Sequence, residues 1–183
     1  MKDISLHILD IAQNSVAAGA TRIAIRIADD VPKDSFVLEI EDNGRGIPRG
    51  LVGKVLDPFY TSRTTRNVGL GLSLLAQSAR DTGGDISVES EEGAGTRVRA
   101  RFSPSHIDMK PLGDVADTLL VLIAANPEID FFFSYEKPSG RYVIDTQEIK
   151  AELEEVPITS PDVLSLLKDE LRESLGRLVT APE

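Results

Sequence analysis

Two short runs, RIAIRIA at 22–28 and SFVLEIE at 35–41, constrain the fold more than any other feature of the chain. Ile23, Ile25 and Ile27 recur at every second position, as do Phe36, Leu38 and Ile40. Successive strand side chains point to opposite faces, so each run buries one face and leaves the other to water. The segment DISVESEEGAGTRVRARF, 85–102, alternates in the same way on both sides of an EGAG turn and reads as a hairpin. Strands buried on one face need a covering layer on that face only, and helices supply it. Residues 4–17 place Ile4, Ile8, Ile11, Ala12 and Ser15 at helical spacing ahead of Gly19. LGLSLLAQSARDT, 70–82, is a second amphipathic helix, stopped by Gly83 and Gly84. The expected class is α+β, a two-layer α/β sandwich with helices on one face of a sheet.

The outward strand positions are charged: Arg22, Arg26, Glu39, Glu41, Glu89, Glu91, Arg97, Arg99 and Arg101. Cross-strand pairing on a solvated sheet accounts for them, and docking of a partner or of the rest of the chain is the alternative. The chain of 183 residues has no cysteine, which removes disulfides and thiolate chemistry and fits a reducing, cytoplasmic setting. No apolar run approaches a membrane span, and the net charge of -10 opposes binding to nucleic acid or anionic lipid. The acid excess is uneven, with 13 basic and 14 acidic residues in 1–104 against 7 and 16 in 105–183. A boundary is expected near SPSHIDMKPLGD, 103–114, dividing a domain of 1–104 from a small acidic α+β domain of 105–183. That second part offers a helix at 114–125, a hairpin with arms IDFFFSY and RYVID, a helix after Thr146 and a last helix from Ser160. Phe131, Phe132 and Phe133 read as its core, and Leu164, Leu167, Leu171, Leu175 and Leu178 as a stripe facing its own domain.

Three segments carry chemistry. DIAQNS, 10–15, sets Asp10 and Asn14 one helical turn apart, so both side chains reach the same spot. EDNGRGIP, 41–48, follows a strand with an acid and two glycines that let backbone approach a flat or charged ligand. NVGLGLSLL, 67–75, opens a helix with Gly69 and Gly71, leaving N–H groups unobstructed at a positive helix terminus, which suits phosphate. Each segment alone is a weak signal; the three in this order are a strong one.

Together they resemble the ATP-binding domain shared by histidine kinases, DNA gyrase, Hsp90 and MutL, the Bergerat or GHKL fold, over residues 1 to 104. NSVAAGATRI is most similar to the gyrase and MutL version of the first motif. DPFYTSRTTRNVGLGLSLL and GGDISVESEEGAGTRVRARF are most similar to the histidine-kinase versions. The resemblance implies a mixed sheet layered against helices, with ATP and Mg2+ held between helices and a lid. It implies that Asn14 is the magnesium ligand, that Asp42 accepts from the adenine amino group with Thr96 assisting, and that Gly44, Gly46 and Ile47 approach the base. Gly69, Leu70 and Gly71 would meet the phosphates, and Arg63 or Arg66 on the lid would neutralise their charge. Asp10 stands where gyrase and MutL have a catalytic glutamate. It is expected either to activate water or to hold Asn14 or a magnesium-bound water.

Departures are Ala17 in place of a basic residue, Asn67 in place of the first glycine of GxGLGL, and a short lid at 60–68. A stand-alone form without a phosphoacceptor domain is expected, and neither His7 nor His106 has the HExxxP setting of the family's acceptor. The resemblance therefore implies a signalling protein that transfers the ATP γ-phosphate in trans to a histidine or serine of a partner protein. The alternative is an ATP-controlled switch or slow ATPase that regulates a partner by binding. A homodimer is compatible with either.

Overall fold

The computed structural model describes residues 1–56 and 70–180. The strands are β1 (Arg22–Asp30), β2 (Ser35–Asp42), β3 (Asp85–Glu91), β4 (Gly95–Phe102), β5 (Asp130–Lys137) and β6 (Gly140–Asp145). The helices are α1 (Ile4–Ala17), the single turn α2 (Arg49–Val52), α3 (Leu70–Asp81), α4 (Val115–Ala125), α5 (Thr146–Leu153) and α6 (Pro161–Thr180). All six strands form one mixed sheet in the order β3-β4-β2-β1-β5-β6. The pairs are antiparallel except β1 with β5, which run parallel from Arg22 opposite Asp130 to Ala28 opposite Glu136.

The alternation at 22–28 and 35–41 does what its period requires. Ile23, Ile25, Ile27, Phe36, Leu38 and Ile40 are buried, joined from β4 by Val98, Ala100 and Phe102. Ile4, Ile8, Ile11 and Ala12 of α1 and Leu75, Ala76 and Ala79 of α3 are buried too, and α1 packs on β1 and β2 while α3 packs on β3 and β4. The opposite face carries the charges and pairs them across strands. Arg26 lies 3.2 Å from Glu39 and 2.9 Å from Glu41, Arg97 lies 2.7 Å from Glu41, and Arg101 lies 3.3 Å from Asp85. Exposed pairs of this kind contribute little individually, and here they match the register of the sheet.

Residues 105–180 share this sheet and its core. β5 extends the sheet beyond β1, and Phe131, Phe133, Leu119, Leu122 and Ile123 belong to one hydrophobic cluster with Ile8, Ile25 and Leu38. The physical reason lies in β1, whose outer edge would otherwise show unpaired N–H and C=O groups beside its isoleucines. Phe132 points the other way, and the Arg26 guanidinium lies 5.5 Å from its ring centroid, so only two of the three phenylalanines are core. In the α6 stripe Leu167, Leu171 and Leu175 are buried, and the helix packs on α4 and β6. The linker at 103–114 also meets α1: the N–H groups of Ile4 and Ser5 donate to the carbonyls of Pro111 at 3.0 Å and Leu112 at 2.9 Å. These contacts satisfy amides that a helix start otherwise leaves without partners. Among the described residues no helix is long and apolar enough to cross a membrane.

Candidate functional site

Asp42 ends β2 on the helix-facing side, directly opposite Thr96 in the β2–β4 register. Two donors fix its carboxylate. The Ser15 hydroxyl donates to Oδ2 at 2.6 Å, and the Gly44 N–H donates to Oδ1 at 2.9 Å. Ser15 is buried in the last turn of α1, so the helix that covers the sheet also orients the acid. A carboxylate oxygen can accept more than one hydrogen bond, so Asp42 keeps acceptor capacity beyond these two contacts.

The loop after Asp42 is shaped by close backbone approach. A methyl on Gly44 would stand 3.0 Å from both the Cβ and the carbonyl oxygen of Ala18. Gly46 has φ +68, and a methyl there would stand 2.0 Å from the Glu91 carbonyl oxygen. Only glycine satisfies both the left-handed backbone and that contact. Asn43 ties the loop to the start of β1: its Oδ1 accepts from the N–H groups of Thr21 and Arg22, both at 2.9 Å. From the other side the Gly93 N–H donates to the Arg45 carbonyl at 2.8 Å, and the Ile47 N–H donates to Ser90 Oγ at 2.8 Å.

Asp10 and Asn14 lie along α1, one turn apart, leading to Ser15. α1 and α3 approach each other closely there. A methyl on Gly71 would be 3.1 Å from Asp10 Cβ and 3.5 Å from Asp10 Oδ2. The Asp10 carboxyl thus borders the first turn of α3, where backbone N–H groups favour negative charge. Partial burial raises its pKa above the ordinary aspartate value. Asn14 is half-buried.

The structure therefore brings Asp10, Asn14, Asp42, Gly44, Gly46, Ile47, Gly71 and Thr96 to one end of the sheet beneath α1 and the start of α3. Leu70 begins α3, whereas Arg63, Arg66 and Gly69 lie outside the described residues. Sequence reasoning assigns no site role to Ser15, Asn43 or Ser90. Ser90 carried a usable signal, since it is polar at a position continuing the inward alternation of Ile86 and Val88.

Residues 2–106 match the family of histidine kinase-, DNA gyrase B- and HSP90-like ATPases. The chain belongs to this family. Its ATP-binding domain is homologous to histidine-kinase catalytic domains. It is 38% identical to the sensor kinase CckA of Brucella abortus over 56% of this chain and 11% of that one. It is 40% identical to the histidine-protein kinase AtoS of Escherichia coli over 48% of this chain and 14% of that one. The chain thus spans a small part of the length of these relatives. In fold it is similar to the N-terminal domain of a DNA repair protein, with TM-score 0.57 and 20% identity over 79% of this chain and 52% of that one. It is similar again to the MutL ATPase domain of Aquifex aeolicus complexed with ADP, with TM-score 0.50 and 18% identity over 75% of this chain and 61% of that one. Both likenesses speak for the fold, and both cover more of the chain than the family match does.

Proposed function

We propose that this chain binds Mg-ATP beneath α1 and α3 and passes the γ-phosphate to a partner protein in trans. The observation that carries the nucleotide reading is Asp42, an acceptor fixed at both oxygens and set at the end of a sheet beside a glycine-shaped loop. Such an acceptor favours a base edge that donates, as the amino group of adenine does, over one that offers a carbonyl. Asn14 supplies the neutral oxygen suited to magnesium, whose other ligands would be phosphate oxygens and water, and which when bound neutralises charge on the transferring group. Gly71, which has no side chain, lets the first turn of α3 lie close against Asp10, and the N–H groups of that turn would face the phosphates there. Transfer breaks the bond between the β and γ phosphates, forms a bond from the acceptor side chain to phosphorus, and leaves ADP.

The two histidines of this sequence support an acceptor other than themselves. His7 is 1% exposed in the middle of α1, and burial holds its pKa down to about 4. His106 follows β4, and that strand runs from Thr96 at the site to Phe102, about 20 Å away at the usual strand rise. Neither is placed to receive phosphate from this site.

A second reading, a slow ATPase acting as a switch, is favoured by Asp10. Its carboxyl borders the phosphate end of the site, and its raised pKa suits a general base. One experiment separates the two. Phosphate release by the purified chain at saturating Mg-ATP is compared with that of Asp10→Ala, and γ-labelled ATP is offered with isolated histidine phosphoacceptor domains. Label on an acceptor domain supports the kinase. Release that disappears with Asp10→Ala, with no label transferred, replaces it with the switch.

A further inference from the structure

The Ser90 hydroxyl meets three groups at once. The Ile47 N–H donates to it at 2.8 Å, the Gly95 carbonyl oxygen lies at 2.8 Å, and Thr96 Oγ1 lies at 2.9 Å. A carbonyl cannot donate, so Ser90 gives its one hydrogen to Gly95. Its two lone pairs then accept from Ile47 and from Thr96, which fills the hydroxyl's capacity. Thr96 is therefore the donor in its contact with Ser90, and only lone pairs of its oxygen are left for a ligand. Asp42, opposite Thr96 in register, offers acceptors as well.

We propose that Ser90 is a positioning residue for base recognition: it fixes the polarity of Thr96 and the place of the Ile47 amide. The inference rests on the nucleotide reading of Asp42. A base edge facing this pair meets acceptors only. An exocyclic amine donates to Asp42 directly, and a water can give one hydrogen to Thr96 and the other to a ring nitrogen. A 6-oxo purine sets a carbonyl against those acceptors. Ser90 thus sharpens selection for a 6-amino purine without touching the base. Other contacts between the hairpin and the loop, such as Gly93 to Arg45, involve backbone alone and leave Thr96 unaffected.

The test titrates the full chain with ATP and with inosine triphosphate. Ser90→Ala removes the acceptor of two hydrogen bonds and releases the Thr96 hydrogen toward the site. The ATP Kd should rise about tenfold, and the preference for ATP over inosine triphosphate should fall. Ser90→Thr, which keeps a hydroxyl, should restore both, and in a Thr96→Val background Ser90→Ala should leave the preference unchanged. If Ser90→Ala does not fold, Ser90→Cys keeps the volume with a poor hydrogen-bonding group and carries the same expectation. An unaltered preference in folded Ser90→Ala or Ser90→Cys, alongside loss of ATP binding in Asp42→Asn, would overturn the role of Ser90 and leave the nucleotide reading standing. Full ATP affinity in Asp42→Asn would remove that reading itself.

Discussion

Asp42→Asn separates recognition from folding because the structure states what each carboxylate oxygen does. The Gly44 N–H must still find an acceptor, so the new amide keeps its oxygen at the Oδ1 position. Its NH2 then falls at the Oδ2 position, facing Ser15. The serine can adapt, since its hydroxyl already lies 3.4 Å from the Ile11 carbonyl and can donate there while accepting one amide hydrogen. The exchange replaces a charge-assisted bond by a neutral one and costs the fold about 1 kcal/mol. For a chain of this size that is a fall of a few degrees in Tm.

Binding loses more. The second amide hydrogen points where a donating amine would sit, so an acceptor for the ligand becomes a donor. Loss of a hydrogen bond to a charged group is worth about 2 kcal/mol, a weakening of ATP of roughly thirtyfold, and apposed donors add to it. Calorimetric titration with ATP beside thermal unfolding of the same sample measures both quantities. A folded variant that binds ATP as tightly as the parent would refute the assignment of Asp42 to the base.

Gly46→Ala should be costly for a different reason. The left-handed backbone costs about 1–2 kcal/mol, and the methyl must push the hairpin away, taking the Gly93–Arg45 and Ile47–Ser90 bonds at about 1 kcal/mol each. Urea unfolding should register a loss of about 3 kcal/mol, and a loss under 1 with normal ATP affinity would contradict the geometry. His7 should make stability depend on pH. Its folded pKa of about 4 lies below the unfolded value near 6.5, so the unfolded chain binds the extra proton between those values. This contribution is fully present above pH 6.5 and falls as pH drops toward 4, by about 3 kcal/mol; His7→Leu should lack that slope, so the difference between the stability curves of parent and variant should show it. Cutting the chain after residue 104 should expose the edge of β1 and abolish cooperative unfolding. A folded fragment with parental ATP affinity would show instead that 1–104 stands as a domain by itself.

The layer structure was legible because burying one face of a strand imposes a period of two, and Ile23 to Ile27 and Phe36 to Ile40 display it without interruption. The glycine motifs were legible for a similar reason, since Gly46 answers a local demand of the backbone. Ser15 was not legible as a site residue. At helical spacing it reads as a small core residue, and its partner Asp42 lies 27 positions away. Ile47 and Ser90 are 43 positions apart, and no local pattern records such a meeting. Phe131 to Phe133 form a continuous apolar run with no period, so neither the outward turn of Phe132 nor the parallel pairing with β1 could be read from it. What the sequence hides is set by which distant segments the sheet makes neighbours.

That principle also decides how residues 105–183 bear on the site. A direct link exists: the Arg22 guanidinium reaches Asp145 at 2.6 Å and Gln147 at 2.8 Å, while the Arg22 N–H holds Asn43 beside Asp42. The two ends of this link use different groups, however. Pulling the junction of β6 and α5 away would release the guanidinium of Arg22, a half-exposed contact worth about 1 kcal/mol or less, and would leave the backbone amide holding Asn43. Loss of β5 acts differently. It strips the edge of β1, the strand whose first residues anchor that loop, and it removes Phe131 and Phe133 from the core that also seats Ile11, one turn before Ser15. The C-terminal residues therefore hold the base loop through the sheet and core, and a partner that altered nucleotide affinity from that side would have to shift β5 and not merely compete for Arg22.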